Sequence, residues 1–451
     1  MNPTNFAHQS SIYRDFDIRG KYPEEITTDE VYKIARALTL HFRVKKVAVG
    51  HDIRPSAEAL KSALINGFVE SGVIVYDLGL STTPMSYFVG GSTDVDMTVM
   101  ITASHMPSDY NGLKITVEDA KPVTADVLKV IRDIVGTHTF SETTTHGEVI
   151  VRAHQADWIA NFKAKHDLSG SGLSVVIDPA NMIGVLEIAT FRAFEPDLQV
   201  HTIFDTFDHS CPNHEANPIK HETLISLGEE VCCQKANLGI AFDGDADRVG
   251  FLDETGTPVR SDLIGALLAR RVLAKYPDAT VVLDLRCSRD VVAEIERLGG
   301  KVVREKVGHT NIRSRMRYED AALGIELSGH YFFKDTFFSE GGPLPAFMIL
   351  ELMKETKQPL SQLIEQVKKR HHSGEINSRV TRSIDDIYTD IINTFPEAAV
   401  SRLDGLSLES KTWWCNIRPS ANDPVVRLNL ESESRSEMET KRDQILELIR
   451  A

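Results

Sequence analysis

Ser104 lies in a short polar loop, residues 102–107, that follows the apolar run 97–101. Such a run is typical of a buried parallel strand, and ligands of open α/β sheets bind beyond the carboxyl ends of these strands. Small neighbours and Pro107 would present the hydroxyl of Ser104 outward, where it can accept and donate a group. The same residue types are common in surface turns, so the loop alone leaves both interpretations open.

Three carboxylates at alternate positions, Asp243, Asp245 and Asp247, follow a second apolar run at 238–242. Spaced by small residues, they can converge on one hard cation, and ligands that are all oxygen favour Mg²⁺ or Ca²⁺. Carboxylates this close repel one another unless a cation joins them. With three protein ligands, an Mg²⁺ ion still has room for a phosphoryl oxygen.

An EF-hand is the competing metal site for this loop. Counted from Asp243, the twelfth position is Glu254, as an EF-hand requires, but the sixth is Arg248 where the motif needs glycine. The flanks 238–242 and 249–252 predict strands, whereas an EF-hand needs helices. A purely structural acidic turn is the other alternative.

Glu326, Ser328 and His330 alternate in a polar loop that follows the apolar residues 321–323. If the loop is extended, their side chains lie on one side of it, and carboxylate, hydroxyl and imidazole together suit vicinal sugar hydroxyls. An ordinary polar turn has the same composition.

Near the carboxyl end, guanidinium, hydroxyl and amide donors lie close together in Arg418, Ser420, Asn422 and Arg427. Arginine suits phosphate because its fork donates two hydrogen bonds at once. The alternative is a hairpin turn with solvated arginines.

Composition excludes several classes of function. The 451 residues carry a net charge of −15 spread along the chain, which disfavours nucleic acid and anionic membranes as partners. The five cysteines show no CxxC spacing and an odd count, which fits a reducing cytoplasm and argues against a disulfide framework or zinc site. No apolar run approaches the ~18 residues of a membrane span. Oligomeric state is not specified by any of these features.

The sequence pattern predicts three similar mixed α/β domains and a C-terminal α+β domain, arranged around a central cleft. The strand-like segments 47–50, 174–178 and 281–286 are β-branched, each runs to an aspartate, and each precedes a predicted helix. Strands predicted at 376–380, 413–417 and 425–430, with a closing helix at 436–450, indicate an antiparallel final sheet. Composition changes place the boundaries so that the domains are 1–150, 151–257, 258–372 and 373–451.

Taken in order, these motifs resemble the α-D-phosphohexomutase family, and within it the bacterial phosphomannomutase/phosphoglucomutase group. The resemblance covers nearly the whole chain. It begins with the YRDFDIRG segment at 13–20, continues through the serine loop and the DYNGLK segment at 109–114, and resumes with the segment at 211–218, the Asp243 loop, residues 307–309, the Glu326 loop and Arg418.

The resemblance implies that Ser104 is carried as phosphoserine and that its phosphate binds Mg²⁺ together with Asp243, Asp245 and Asp247. The phosphoryl group would pass to a hexose monophosphate substrate, giving a hexose 1,6-bisphosphate that turns over in the cleft and returns its other phosphate to Ser104. Domain by domain, the family's roles are phosphoserine catalysis, metal binding, sugar recognition and phosphate binding.

The resemblance also assigns roles to individual residues. Lys114 or His309 could transfer a proton, whereas Arg248 could only orient a group or stabilise charge. The residues assigned to substrate binding are Arg19, Arg286, Glu326, Ser328, His330, Arg418, Ser420, Asn422 and Arg427.

The resemblance implies interconversion of mannose 6-phosphate and mannose 1-phosphate, with the corresponding glucose phosphates as the second-ranked substrates. Departures from the family pattern concern the positioning of substrate: Met106 replaces a common Asn, Phe16 a tyrosine, Arg286 a frequent Lys, Asn422-Asp423 a Thr-Glu pair, and residues 339–342 an Asp-Asp-Gly pattern. The alternatives are a phosphoglucosamine mutase, an Mg²⁺-dependent sugar phosphatase and a non-catalytic sugar-phosphate binding protein.

Overall fold

The first sheet combines parallel and antiparallel strands. A computed structural model describes residues 12–14, 17–141, 146–419 and 425–451. The strands of this sheet are β1 (Ile18–Lys21), β2 (Lys46–His51), β3 (Ile74–Leu80), β4 (Met97–Ile101), β5 (Tyr110–Val117), β6 (Lys121–Pro122) and β7 (Val149–Val151). Its helices are α1 (Thr28–Phe42), α2 (Ala57–Val69), α3 (Thr83–Ser92) and α4 (Ala125–Thr137). The strand order is β1-β5-β4-β2-β3-β7, with β6 beside β5.

The second sheet repeats this plan with five strands in the order β12-β11-β10-β8-β9. They are β8 (Leu173–Asp178), β9 (Leu198–Thr202), β10 (Leu238–Phe242), β11 (Val249–Leu252) and β12 (Pro258–Val259). The helices before and between them are α5 (Gln155–Lys165), α6 (Val185–Arg192) and α7 (Ile225–Gln234).

The third sheet has the order β14-β13-β15-β16-β17. Its strands are β13 (Thr280–Asp284), β14 (Lys301–Glu305), β15 (Leu323–Ile325), β16 (Tyr331–Phe333) and β17 (Ser339–Glu340). The accompanying helices are α8 (Ser261–Lys275), α9 (Arg289–Arg297), α10 (His309–Glu319), α11 (Leu344–Thr356) and α12 (Leu360–Glu365). Side chains of the second and third domains share one apolar core, in which the rings of Phe191 and Phe347 stack 4.8 Å apart.

The C-terminal sheet is antiparallel, in the order β18-β22-β21-β20-β19. It consists of β18 (His371–Arg379), β19 (Ala399–Ser401), β20 (Leu406–Glu409), β21 (Trp413–Pro419) and β22 (Val425–Ser432), with helices α13 (Ile384–Thr394) and α14 (Arg435–Arg450). The α14 helix begins where the hydroxyl of Ser434 accepts a hydrogen bond from the amide of Glu437. An apolar core confined to this domain holds it together.

The predicted fold class is confirmed, and so is the repeat of a strand that ends in aspartate. In each case the aspartate turns the chain in the same way, because its Oδ1 accepts a hydrogen bond from the amide two residues on: Asp52 from Arg54, Asp178 from Ala180, and Asp284 from Arg286. The boundaries at 150, 257 and 372 stay a prediction. Among the described residues, no helix is long and apolar enough to cross a membrane.

The sequence did not predict β19, β20 or α13. The β19 strand is only three residues long and exposed, so it carries no clear alternation of apolar and polar side chains. Ser56 lies at the position before α2, but its hydroxyl accepts a hydrogen bond from Asn111 and does not cap the helix.

Candidate active site

One connection in each α/β domain carries the polar residues that the sequence singled out. In every case a parallel strand turns back into an antiparallel neighbour: β4 into β5, β10 into β11, and β15 into β16. These three connections hold Ser104, the loop with Asp243, and the loop with Glu326. The repeated fold therefore supplies three equivalent loops that contact one another.

Ser104 follows β4 in a left-handed backbone conformation, with φ of 53°. Its amide donates to Oγ1 of Thr102 at 3.0 Å, and its Oγ donates to Oδ2 of Asp243 at 2.7 Å. The side chain is buried, not presented outward as the sequence predicted, because the Asp243 loop of the second domain lies against it. A Cβ on Gly244 would lie 2.1 Å from the carbonyl oxygen of Ser104, so this close approach requires glycine.

Arg54 holds the shape of the serine loop and was not among the predicted site residues. Its guanidinium donates at 2.5 to 3.0 Å to four carbonyl oxygens of the loop, those of Ser104, Met106, Pro107 and Tyr110. Its Nε donates at 3.1 Å to Oδ2 of Asp52, which also accepts from the hydroxyl of Thr102. The spacing Asp52-x-Arg54 directly after a strand, repeated as Asp284-x-Arg286, is the signal that could have identified it.

The three aspartates of the acidic loop do converge. Asp243, Asp245 and Asp247 are buried, and one carboxylate oxygen from each lies within 4.8 Å of the others. Burial, and then the charges of Asp247 and Asp245, raise the pKa of Asp243 to about 7. The flanking segments are the antiparallel strands β10 and β11, so the EF-hand alternative is wrong.

The donor set of this loop fits a hard cation. Oδ1 of Asp245 and Oδ1 of Asp247 are buried without a hydrogen-bond partner, although the second lies 3.3 Å from Nε2 of His330. Buried carboxylate oxygens of this kind are costly unless a charge compensates them. The three aspartates offer only oxygen atoms as ligands, and Mg²⁺ prefers oxygen ligands.

Lys114, Arg19 and Arg248 surround the acidic loop with positive charge. The ammonium of Lys114 contacts Oδ2 of Asp245 at 2.6 Å and also Oδ2 of Asp247. Arg248 Nε lies 3.7 Å from Asp243. Arg19 pairs with Asp17; burial lowers the pKa of Arg19, but the charges of Asp17 and Asp245 raise it more. All three cations thus lie near the carboxylates of this loop.

The loop between β15 and β16 brings Glu326, Ser328 and His330 together. Nδ1 of His330 lies 2.9 Å from both Oε2 of Glu326 and Oγ of Ser328, and its Nε2 lies 3.3 Å from Asp247. Burial lowers the pKa of His330, but Asp247 and Glu326 outweigh it and raise that pKa to about 10. His330 therefore links the third domain's loop to the acidic loop of the second.

His309, the first residue of α10, lies beside this loop. Its ring stacks on that of His330 with centroids 6.0 Å apart, and its Nδ1 lies 3.5 Å from Oε1 of Glu340. Arg313 approaches the other oxygen of Glu340 at 3.4 Å. Glu340 is fully buried and, like Arg54, was not among the predicted site residues.

Arg286 connects the third domain with the C-terminal domain. Its guanidinium forks onto Asp284, with NH2 at 2.6 Å from Oδ2, and its NH1 lies 3.5 Å from Oε2 of Glu375 in β18. Glu326 lies 3.8 Å away. The same residue thus faces both the predicted sugar loop and the predicted phosphate site.

Arg418 and Arg427 lie directly opposite each other on β21 and β22. Both face Glu375, at 3.7 Å from Arg418 and 3.3 Å from Arg427. Ser420 and Asn422, the other predicted members of this group, lie outside the described residues, as do Phe16 and Asp423. The described part of the predicted phosphate site is therefore a cluster of three arginines around one carboxylate.

These loops define a class of protein: an α/β enzyme in which a serine hydroxyl, a buried acidic cluster and an arginine cluster are linked by contacts between different domains. Three family models match the chain, described as phosphoglucomutase/phosphomannomutase, alpha/beta/alpha domain I (residues 11–142), domain II (155–256) and domain III (260–370).

Curated relatives and a solved structure agree with these models. The chain is 33% identical to a phosphomannomutase of Salmonella montevideo, over 97% of this chain and 99% of that protein. It is 34% identical to a phosphomannomutase of Escherichia coli K12, over 94% and 95% of the two chains. A phosphoglucomutase/phosphomannomutase family protein of Burkholderia thailandensis superposes with a TM-score of 0.89 at 27% identity, over 97% and 96% of the two chains. The chain belongs to the phosphoglucomutase/phosphomannomutase family, and it is a mutase.

Proposed function

We propose that this enzyme interconverts mannose 6-phosphate and mannose 1-phosphate, and the corresponding glucose phosphates, through a phosphoserine at Ser104 and a hexose 1,6-bisphosphate. The observation that carries the proposal is the 2.7 Å hydrogen bond between Oγ of Ser104 and Asp243 within a buried cluster of three aspartates. A hydroxyl placed against a hard-cation site is suited to hold and release a phosphoryl group.

Asp243, Asp245 and Asp247 would hold Mg²⁺. When bound, the ion supplies neutralisation of the charge on the transferring phosphoryl group. Because the carboxylates come from one loop and Ser104 from another domain, the contact between the two loops sets how the phosphoserine meets the ion. Gly244 and Arg54 keep that contact close.

The transfer breaks the bond between phosphorus and Oγ of Ser104 and forms a bond between phosphorus and the free hydroxyl oxygen of the hexose monophosphate. The proton leaves that hydroxyl, and a proton is restored to Oγ of Ser104. Lys114 or His309 would carry the proton, and Lys114 already contacts the carboxylates beside Ser104. Arg248 and Arg19 would stabilise the negative charge.

The sugar would lie against Glu326, Ser328 and His330, whose side chains already converge. Its distal phosphate would meet Arg418 and Arg427, with Ser420, Asn422 and Arg286 as further donors. One clamp distant from the acidic loop can accept either phosphate of the bisphosphate, which a reaction with two orientations of the same intermediate requires.

The test is ³¹P NMR of the protein with Mg²⁺ and a trace of hexose 1,6-bisphosphate, given mannose 1-phosphate and glucose 1-phosphate in separate tubes. We expect the resonance of the 6-phosphate to appear in both, and to disappear with Ser104→Ala. Growth of inorganic phosphate instead would indicate a phosphatase. Turnover of glucosamine 1-phosphate alone would indicate the phosphoglucosamine alternative.

A further inference from the structure

Two like charges face each other on the side of the C-terminal sheet that also carries Glu375. Arg418 on β21 and Arg427 on β22 are directly opposite partners in the antiparallel register, an arrangement that is destabilising unless an anion lies between the charges. Arg418 is also largely buried, and its pKa is lowered, first by burial and then by the charge of Arg286. Among the described residues, the carboxylate of Glu375 lies near both guanidinium groups.

In the part of the chain that the structure describes, Glu375 makes only long contacts with its three arginine neighbours. Its Oε1 lies 3.3 Å from Arg427, while its Oε2 lies 3.5 Å from Arg286 and 3.7 Å from Arg418. The amide of Asn429, its cross-strand partner, approaches at 3.4 Å. These distances contrast with the 2.6 Å contact between Arg286 and Asp284. A central carboxylate with long contacts is a counter-ion that a better anion can partly displace.

Glu375 lowers the positive charge that this cluster presents to an anion. Of the three guanidinium groups, that of Arg286 is already paired with Asp284 at 2.6 Å, and Glu375 offsets a further charge. A phosphate monoester near pH 7 carries close to two negative charges, because its second pKa is about 6. Without Glu375 the cluster would be more positive by one charge and would bind any phosphate more strongly.

Strong binding at this clamp would oppose the reaction proposed above, on which this inference rests. A bisphosphate that turns over in the cleft must withdraw one phosphate from the clamp and insert the other. Tighter ground-state binding of phosphate at the clamp raises the barrier to exchanging one phosphate for the other, and it does not speed the phosphoryl transfer.

We propose that Glu375 is a built-in competitor for the substrate phosphate, which weakens the clamp formed by Arg286, Arg418 and Arg427 so that the bisphosphate can leave it and rebind in the opposite orientation. Glu375 is a residue that tunes release, and it takes no part in the bond-making step. The position of its strand, β18, at the start of the C-terminal domain allows the carboxylate to reach Arg286 of the third domain as well.

The test compares Glu375→Gln with Glu375→Asp, which keeps the charge, and with Glu433→Gln. Glu433 is an exposed residue of the same domain, paired with Arg370 at 3.4 Å, and its variant loses the same single charge away from the cluster. Isothermal titration with inorganic phosphate and with mannose 1-phosphate gives the affinities. Differential scanning calorimetry, with and without phosphate, gives the stabilisation by the ligand.

We expect Glu375→Gln to bind both ligands roughly tenfold more tightly, as one partly screened charge at this distance predicts. Its melting temperature should fall without phosphate and recover with it, and kcat should fall together with KM. Glu375→Asp and Glu433→Gln should keep the affinity of the unsubstituted protein.

Unchanged or weaker phosphate binding by Glu375→Gln overturns the proposal, because it would mean that the carboxylate only holds the arginines in place. If the unsubstituted protein bound neither ligand at all, the clamp itself would be wrong, and with it the phosphate-binding part of the proposed function. If the unsubstituted protein showed mutase turnover without binding either ligand, the proposed reaction would be right and only the clamp and the role of Glu375 would be wrong.

Discussion

Ser104 and Asp243 are 139 positions apart in the chain, yet the serine hydroxyl donates a 2.7 Å hydrogen bond to the carboxylate. The bond crosses from the first domain to the second. Because the amide of Thr83 donates to the carbonyl oxygen of Asp245 at 3.0 Å, and its hydroxyl to the carboxylate of Asp245 at 2.6 Å, the two domains are also joined at the start of α3. The candidate metal loop is thus positioned by the domain that carries Ser104.

Asp245→Asn should lower turnover by roughly three orders of magnitude, because it removes one of three carboxylates that would hold the Mg²⁺ ion, and that ion would neutralise charge on the transferring phosphoryl group. Steady-state kinetics across a range of Mg²⁺ concentrations would show it. The circular dichroism spectrum should be unchanged, since an amide oxygen can still accept the hydrogen bond from Thr83. Near-normal activity at saturating Mg²⁺ would contradict the metal role of Asp245.

Arg54→Lys should lower kcat by roughly 10²-fold or more while leaving KM nearly unchanged. A lysine has three donors and cannot reach the four carbonyl oxygens and Asp52 at once, so the serine loop loses its fixed shape. Arg132→Lys, on the surface helix α4 beside Asp133, is the matched control. A rise in KM with normal kcat would show that Arg54 does not act through Ser104.

Arg418→Ala should weaken the binding of mannose 1-phosphate and of mannose 6-phosphate equally, by roughly 10- to 100-fold. Hydrogen bonds to charged groups contribute about 1.5–3 kcal/mol. KM values measured in both directions test this. Arg435→Ala, at the exposed start of α14, serves as the control. An effect on one monophosphate alone would mean that the two orientations do not share a clamp.

Glu187→Gln should stabilise the protein near and above neutral pH. Burial raises the pKa of Glu187 to about 7, despite hydrogen bonds from Trp158, Thr82 and Thr190. The folded state therefore holds a proton that the unfolded state loses above its ordinary pKa of 4.5. Stability falls as pH rises from 4.5 to 7 and is constant above that range, a loss of about 3 kcal/mol.

The amide of a glutamine can still accept from Trp158 and donate to the hydroxyl of Thr82, so the substitution removes the charge without leaving an unpaired group. Melting temperatures of the two proteins, measured by calorimetry from pH 4 to 8, should diverge between pH 4.5 and 7. Parallel curves over that interval would show that Glu187 does not titrate there.

The local patterns determined much of this protein. Apolar runs predicted the central strands, and the loops that follow them predicted Ser104, the three aspartates and the Glu326 loop, because a ligand site at the carboxyl ends of strands depends on residues close together in the chain. The repeat of a strand that ends in aspartate was also visible, since the turn after each strand is built from a side chain and the amide two residues on.

Only the tertiary structure decided what those loops do to one another. Arg54 acts on carbonyl oxygens some fifty residues away, and backbone acceptors leave no signature in the sequence. Whether Ser104 is exposed depended on a loop from another domain. Glu375 attained its position among three arginines because strand pairing and domain packing brought their charges together, and a sequence does not fix the distance between charges carried by different domains.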